Sequence, residues 1–293
     1  MDQTGLVAKC GLDRDDLVQV RALEEACLLA DGVRVKFNWD MMEHRTPGTL
    51  TDFCYYQEGR LVGYIPLDDF GGAFEMTAAV LPAYRRQGIF TRLFRAASEE
   101  AQRREATTLL LVNYRASESG NATVTHVGIP YKFSEYHMVA YADAIPPLPS
   151  IQIELVPVTA DNSDDRVSDL SRLLAVSFGA TRWSVVEVLQ EELQRPEVRY
   201  YLAHRDGHLI GQIGVLEQEE CIYIRGVGIL PEWRRQGNGR QLLSATVGKM
   251  LAEGHRRFEL DVATEHSGAL SIYQSCGFQE TTVYDYYTVP PSL

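Results

Sequence analysis

The chain has 293 residues, enough for about two domains that each bury a core. Its 28 basic and 40 acidic residues give a formal net charge of −12, which argues against nonspecific attachment to nucleic acid. Five cysteines, odd in number, widely spaced and without a Cys-x-x-Cys pair, argue against a disulfide framework or a zinc site and fit a reducing cytoplasm.

Taken in chain order, the N-terminus lacks the apolar centre of a signal peptide, and no later run approaches the ~20 apolar residues that cross a bilayer. Residues 15–29 are predicted helical. Residues 53–56 and 61–66 flank Gln57-Glu58-Gly59-Arg60 as a hairpin. A strand over 74–81, a helix over 91–104 and a strand over 108–114 follow. Pro146, Pro147 and Pro149 cannot sit in a helix interior or a central strand, so 144–150 is the predicted linker between domains 1–145 and 150–293.

The second half reads more fully. Residues 151–156 alternate as a half-buried strand. Val167, Leu170, Leu173, Leu174 and Phe178 recur at helical spacing. A second helix is expected over 184–194, with Ser184 as N-cap and Glu187 completing a capping box. Strands over 199–204 and 208–216 flank Asp206-Gly207, and a third covers 221–230. Leu242, Leu243, Val247, Met250 and Leu251 mark a helix. A strand over 258–263, a helix over 267–276 and an aromatic strand over 281–289 close the chain. Helices mixed with runs of strands predict an α+β domain on a mostly antiparallel sheet. The first half repeats this order, without an evident counterpart of the strand at 151–156.

The repeat is most visible in one motif. Leu81-Pro82-Ala83-Tyr84-Arg85-Arg86-Gln87-Gly88 returns as Leu230-Pro231-Glu232-Trp233-Arg234-Arg235-Gln236-Gly237. In the second copy a strand ends, proline breaks it, and an Arg/Gly turn opens a helix. The first turn of a helix offers unpaired N–H groups and partial positive charge, which suits an anion. Gly237 and Gly239 are expected to let a phosphate approach the backbone. Arg234, Arg235 and Arg240 add cationic donors.

Arg234-x-x-Gly237-x-Gly239 resembles the acyl-coenzyme A pyrophosphate loop of the GCN5-related N-acetyltransferases, and the element order matches that fold. Ala269, Ile272-Tyr273 and Gly277-Phe278 resemble the family's second signature. His266 stands where the family has asparagine. The resemblance implies two tandem domains of this fold. It implies acetyl-CoA as acyl donor and a small-molecule or peptide amine as acceptor; the seven histidines form no His-Glu-x-x-His cluster, so no metal is expected. Val227, Gly228 and Ile229 would offer strand backbone to the pantetheine arm. The N–H groups of Gln236, Gly237, Asn238, Gly239 and Arg240 would hold the diphosphate, with His266 as a further cofactor contact. The acyl group would pass directly to the amine in a ternary complex, and Tyr273 would protonate the departing thiolate.

In the first half Phe90 replaces the second glycine, and Val124 and Ile129 stand at the positions of Tyr273 and Phe278. The second domain is therefore expected to be catalytic and the first degenerate. A silent acyl-CoA sensor is the competing reading. Glu265 is favoured as general base, with Asp261 and Glu217, Glu219 and Glu220 as the other carboxylates. Trp183, Tyr284, Tyr286 and Tyr287 are read either as an acceptor wall or as core. A cytoplasmic monomer or homodimer, without nucleic-acid or membrane partners, is expected.

Overall fold

The computed structural model describes residues 3–45, 48–147, 151–159, 164–179, 185–265 and 267–291. These fall into two compact units, Met1–Ser134 with Val283–Leu293, and Glu135–Thr282. Ser184 and Trp183, and with them the expected capping box, lie outside the described residues, as does His266.

The first unit contains β1 (Gly5–Lys9), α1 (Arg14–Asp31), α2 (Trp39–Glu43), β2 (Asp52–Gln57), β3 (Arg60–Asp69), β4 (Ala73–Thr77), β5 (Ala79–Val80), α3 (Ile89–Arg103), β6 (Thr108–Tyr114) and α4 (Glu118–Val127). Asp13 opens α1 by accepting from the Asp16 N–H at 2.8 Å, and the Asp16 side chain returns the bond to the Asp13 N–H. Leu93 and Ala97 of α3 are buried in one core with Tyr64, Ile65 and Leu67 of β3. Gly63 is glycine because a Cβ there would stand 2.7 Å from Ile89. The strand expected over 74–81 is broken at Ala78 into β4 and β5. β1, which pairs antiparallel with β2, is the counterpart of the opening strand of the second half. Its five residues, Gly-Leu-Val-Ala-Lys, carry no alternation that betrays them.

The second unit contains β8 (Glu154–Val158), α5 (Asp164–Phe178), α6 (Val186–Glu192), β9 (Val198–Arg205), β10 (His208–Glu217), β11 (Ile222–Ile229), α7 (Asn238–Ala252), β12 (Arg257–Ala263) and α8 (Ser267–Ser275). The α6 helix starts at Val186, with Val185 at the N-cap and no side-chain cap. Phe178 is not a core residue of α5; it is exposed at the helix end.

Two further strands run from one unit into the other, β7 (Tyr131–Tyr141) and β13 (Gln279–Thr288). Residues 135–141 pair antiparallel with β12 and complete the second sheet, in the order β8-β9-β10-β11-β12-β7. Residues 284–288 pair antiparallel with β6 and complete the first, in the order β1-β2-β3-β4-β6-β13. Each sheet has one parallel junction, β4 with β6 or β11 with β12. The compact units therefore differ from the linear halves 1–145 and 150–293 by an exchange of strand ends. Tyr284 and Tyr286, read from sequence as acceptor wall or core, are core of the first unit with Leu110 and Val112. Both units are α+β, a mixed sheet flanked by helices.

Candidate active site

In the second unit the site is built where two strands part. β11 and β12 pair in parallel only at Ile222 with Phe258 and at Tyr223 with Glu259. Beyond that point the β11 edge that holds Val227, Gly228 and Ile229 faces an opening wedge. Its other edge stays paired with Gln212 and Gly211 of β10. A bulge at Gly226–Val227, with Gly226 at φ 60°, re-aims the backbone at the start of the opening. Gly228 is glycine because a Cβ would meet Ser177 and Gln212 at 2.2 and 2.3 Å.

The anion loop follows β11. Arg235 is held at φ 60° and Gly237 at φ 76°, so two left-handed residues bracket Gln236 and gather N–H groups into a concave turn. Asn238, Gly239 and Arg240 form the first turn of α7, where helix geometry leaves N–H groups outside the ladder. Asn238 is buried and clamps the turn, donating to the Trp233 carbonyl at 2.8 Å and accepting from Arg205 at 2.8 Å. Gln236 donates to the Glu232 carbonyl at 3.0 Å.

Arg234, Arg235, Gln236, Gly237 and Arg240 are exposed. Arg234 uses only its Nε, on the Ile229 carbonyl at 2.7 Å, and among the described residues no carboxylate pairs with it. The two glycines of the motif have different local reasons. Gly239 answers to packing, since its Cβ would lie 3.2 Å from Ile272 of α8, while Gly237 answers to its backbone angle in open space. Arg240 lines a small crevice with Ser244 and Cys276, against Pro146 and Pro147.

Tyr273 of α8 is half-buried and packs against the core of α7, α8 and β12, edge-on to Phe278 with centroids 6.2 Å apart. Burial pushes its hydroxyl up to about 12. Gly277 is required by the close approach of the Ala144 carbonyl, 2.7 Å from where a Cβ would sit.

On β12, Phe258, Leu260 and Val262 join the core that Tyr273 packs against. Glu259 and Asp261 therefore face the other side of the sheet. Asp261 accepts from Tyr223 at 3.0 Å and lies 2.8 Å from His137 Nδ1. His137 Nε2 is 3.4 Å from Glu259. Burial opposes charge on His137, but the bonds to Asp261 and Glu259 outweigh it and raise the imidazole to about 9. Sequence reasoning missed this cluster because its imidazole arrives on the exchanged strand. Glu265, favoured as base, is exposed in the turn after β12. Glu217 and Glu220 are engaged by Arg199 at 3.3 Å and Arg257 at 3.4 Å.

The first unit repeats the loop. Arg86 is at φ 61° and Gly88 at φ 77°, and Arg85 Nε donates to the Val80 carbonyl at 2.9 Å. A cavity of about 780 Å³ opens there, bounded by Thr77–Val80, Leu111–Tyr114, Phe90 and Val124. Such a volume suits an extended cofactor. Phe90 stacks on Phe94 at 5.3 Å where the other loop has Gly239.

A splayed parallel pair with an N–H-lined turn at the head of the next helix occurs twice. The sequence matches the family model described as Acetyltransferase (GNAT) family over residues 18–119 and 168–278. The chain belongs to this acetyltransferase family. It is an N-acetyltransferase of tandem form. A Bacillus subtilis (strain 168) protein named as a ribosomal protein bS18-alanine N-acetyltransferase is 26% identical over 126 residues, 42% of this chain and 83% of that protein. An aminoglycoside N(6')-acetyltransferase type 1 of Stenotrophomonas maltophilia is 28% identical over 129 residues, 44% of this chain and 78% of that protein. Among solved structures, a GCN5-related N-acetyltransferase from Sphaerobacter thermophilus aligns with a TM-score of 0.78 at 20% identity, covering 98% of this chain and 96% of that one. A tandem GNAT protein from the clavulanic acid biosynthesis pathway aligns at 0.72 and 20% identity, covering 98% of each. Among the described residues no helix is long and apolar enough to cross a membrane.

Proposed function

We propose that the second unit transfers an acetyl group from acetyl-CoA to a primary amine in a ternary complex. The observation that carries this reading is the coincidence, in one unit, of an opened β11 edge, an N–H-lined turn and a half-buried phenol. Acetyl-CoA would supply an activated thioester. The free edge of Val227–Ile229 would pair with its pantetheine amides, and the turn from Gln236 to Arg240 would hold its diphosphate. A β11 N–H beside the bulge would receive the charge that develops on the carbonyl oxygen.

Tyr273 stays protonated at neutral pH and would return a proton to the sulfur. The burial that raises the phenol also raises the proton affinity of a thiolate beside it, so the two remain matched. On the opposite face of β12, Asp261 would take the proton that leaves the amine. It is preferred to Glu265 because it stands near the closed end of the wedge, oriented by Tyr223 and His137. The relatives named above suggest two acceptor classes, a peptide N-terminus and an amino sugar.

The test is release of free thiol from acetyl-CoA with an alanine-led peptide, kanamycin and spermidine as amines. Tyr273→Phe should cut kcat about 10²–10⁴-fold while leaving acetyl-CoA affinity unchanged. Equal turnover by variant and parent would remove the acid role. A second reading, a silent acyl-CoA sensor, draws on the 780 Å³ cavity of the first unit, whose wall has Val124 where the other unit has Tyr273. Binding without thiol release for any amine would favour it.

A further inference from the structure

The two anion loops share a backbone and differ in the partner of their leading arginine. In the first unit Asp31 lines the cavity and takes both terminal nitrogens of Arg85, at 2.8 and 2.7 Å. The third nitrogen of Arg85 is spent on the Val80 carbonyl, and Nη2 also reaches the Cys27 sulfur at 3.8 Å. The leading arginine of this loop is thus neutralised inside its own cleft. Its counterpart Arg234 has no carboxylate partner among the described residues. The matching position can be read from the helix ends. α1 ends at Asp31 before left-handed Gly32 (φ 67°), and α5 ends at Phe178 before left-handed Gly179 (φ 84°). Where one unit has an aspartate, the other has an exposed phenyl ring.

We propose that Asp31 is a specificity-determining residue, which lowers the affinity of the first unit's cleft for the coenzyme diphosphate and so makes the two sites unequal. The inference rests on the coenzyme reading of both loops. The physical ground is electrostatic. A carboxylate in the cavity wall repels a diphosphate and withdraws a bidentate donor from it. The remaining cations of that wall, Arg34, Lys36 and Arg86, still favour an anion, so the site is weakened without being abolished.

Calorimetric titration of the full chain with coenzyme A tests this. The wild type should show two unequal sites. Gly237→Glu should remove the tighter one and so assign it to the second unit. Asp31→Asn should tighten the weaker site about tenfold, and the gain should shrink in high salt. The tighter site should not change. An Asp31→Asn protein whose weak site is unaltered or weaker would overturn the proposal. The second of these would mean that Asp31 holds Arg85 in place for phosphate. Should Asp31→Asn fail to fold, the wild-type isotherm still decides, because two equal sites overturn the inference. Failure of the underlying reading looks different: neither wild type nor variant would take up coenzyme A, and the proposal would fall with it.

Discussion

The two loops of this chain follow nearly the same path, with left-handed angles of 61° and 77° at Arg86 and Gly88 and 60° and 76° at Arg235 and Gly237. What separates them is side chains: Asp31 against Phe178, Phe90 against Gly239, Val124 against Tyr273. The buried ion pairs beneath the helices differ in polarity as well. In the first unit Arg45, on the loop after α2, reaches Asp68 of β3 at 2.6 Å and Asp52 of β2 at 3.4 Å. In the second, the carboxylate is Glu192 of α6 and the cation is Arg225 of β11, 3.2 Å apart. A duplicated backbone kept its turn because the turn is a local steric solution, while its chemistry was free to diverge one residue at a time.

The largest way to break the comparison is Gly237→Glu. A side chain at φ 76° is strained, and a carboxylate at the head of α7 opposes the charge the turn is built to receive. Coenzyme A affinity at that site should fall at least about a hundredfold, and thiol release should fall with it. Activity that survives in a folded Gly237→Glu protein would move the chemistry to the first unit.

The repeat, the loops, the hairpins and the helix faces were legible because each is written locally, in turn residues and in periods of two or 3.6. Tyr273 was legible only through a resemblance. The strand exchange was not legible, since a strand records its alternation and not its partner. For the same reason the His137–Asp261 pair was invisible, its members being 124 residues apart. Asp31 reads in sequence as an ordinary last residue of a helix. Only the paired helix-ending glycines could have aligned it with Phe178. The packing of Gly239 against Ile272 was not legible, because one letter serves both phosphate approach and helix packing.

The exchange offers a second break. Tyr286 belongs to the second half of the sequence but is buried in the first unit, stacked on Phe133 at 4.4 Å and receiving a bond from Lys36 at 2.6 Å. Tyr286→Ala should cost about 3–5 kcal/mol. Hydrogen exchange should show protection lost first at Leu110–Val112 of β6, which it pairs beside, and not at β9 or β10. Protection lost first within β9–β11 would mean that the last strand serves the half from which it comes.

The smallest effect sharpens the comparison by pH. Among the described residues no imidazole of the first unit has the place of His137, whose pKa is raised from 6.5 to about 9 by Asp261 and Glu259 against the opposition of burial. Glu259 is lowered in turn, its burial outweighed by the bond to His137. A group whose folded value lies above its unfolded one stabilises fully below the unfolded pKa and loses that contribution as pH rises through the folded pKa. The wild type should therefore lose about 2 kcal/mol between pH 6.5 and 9, a decline that thermal melts of His137→Gln should lack. Kinetics give a readout that packing alone would not move. The imidazolium lowers the proton affinity of Asp261, so its removal should shift the acid limb of kcat/KM to higher pH, while Asp261→Asn should erase that limb. An unchanged profile in both variants would leave the pair a structural brace on the exchanged strand and return the base to Glu265.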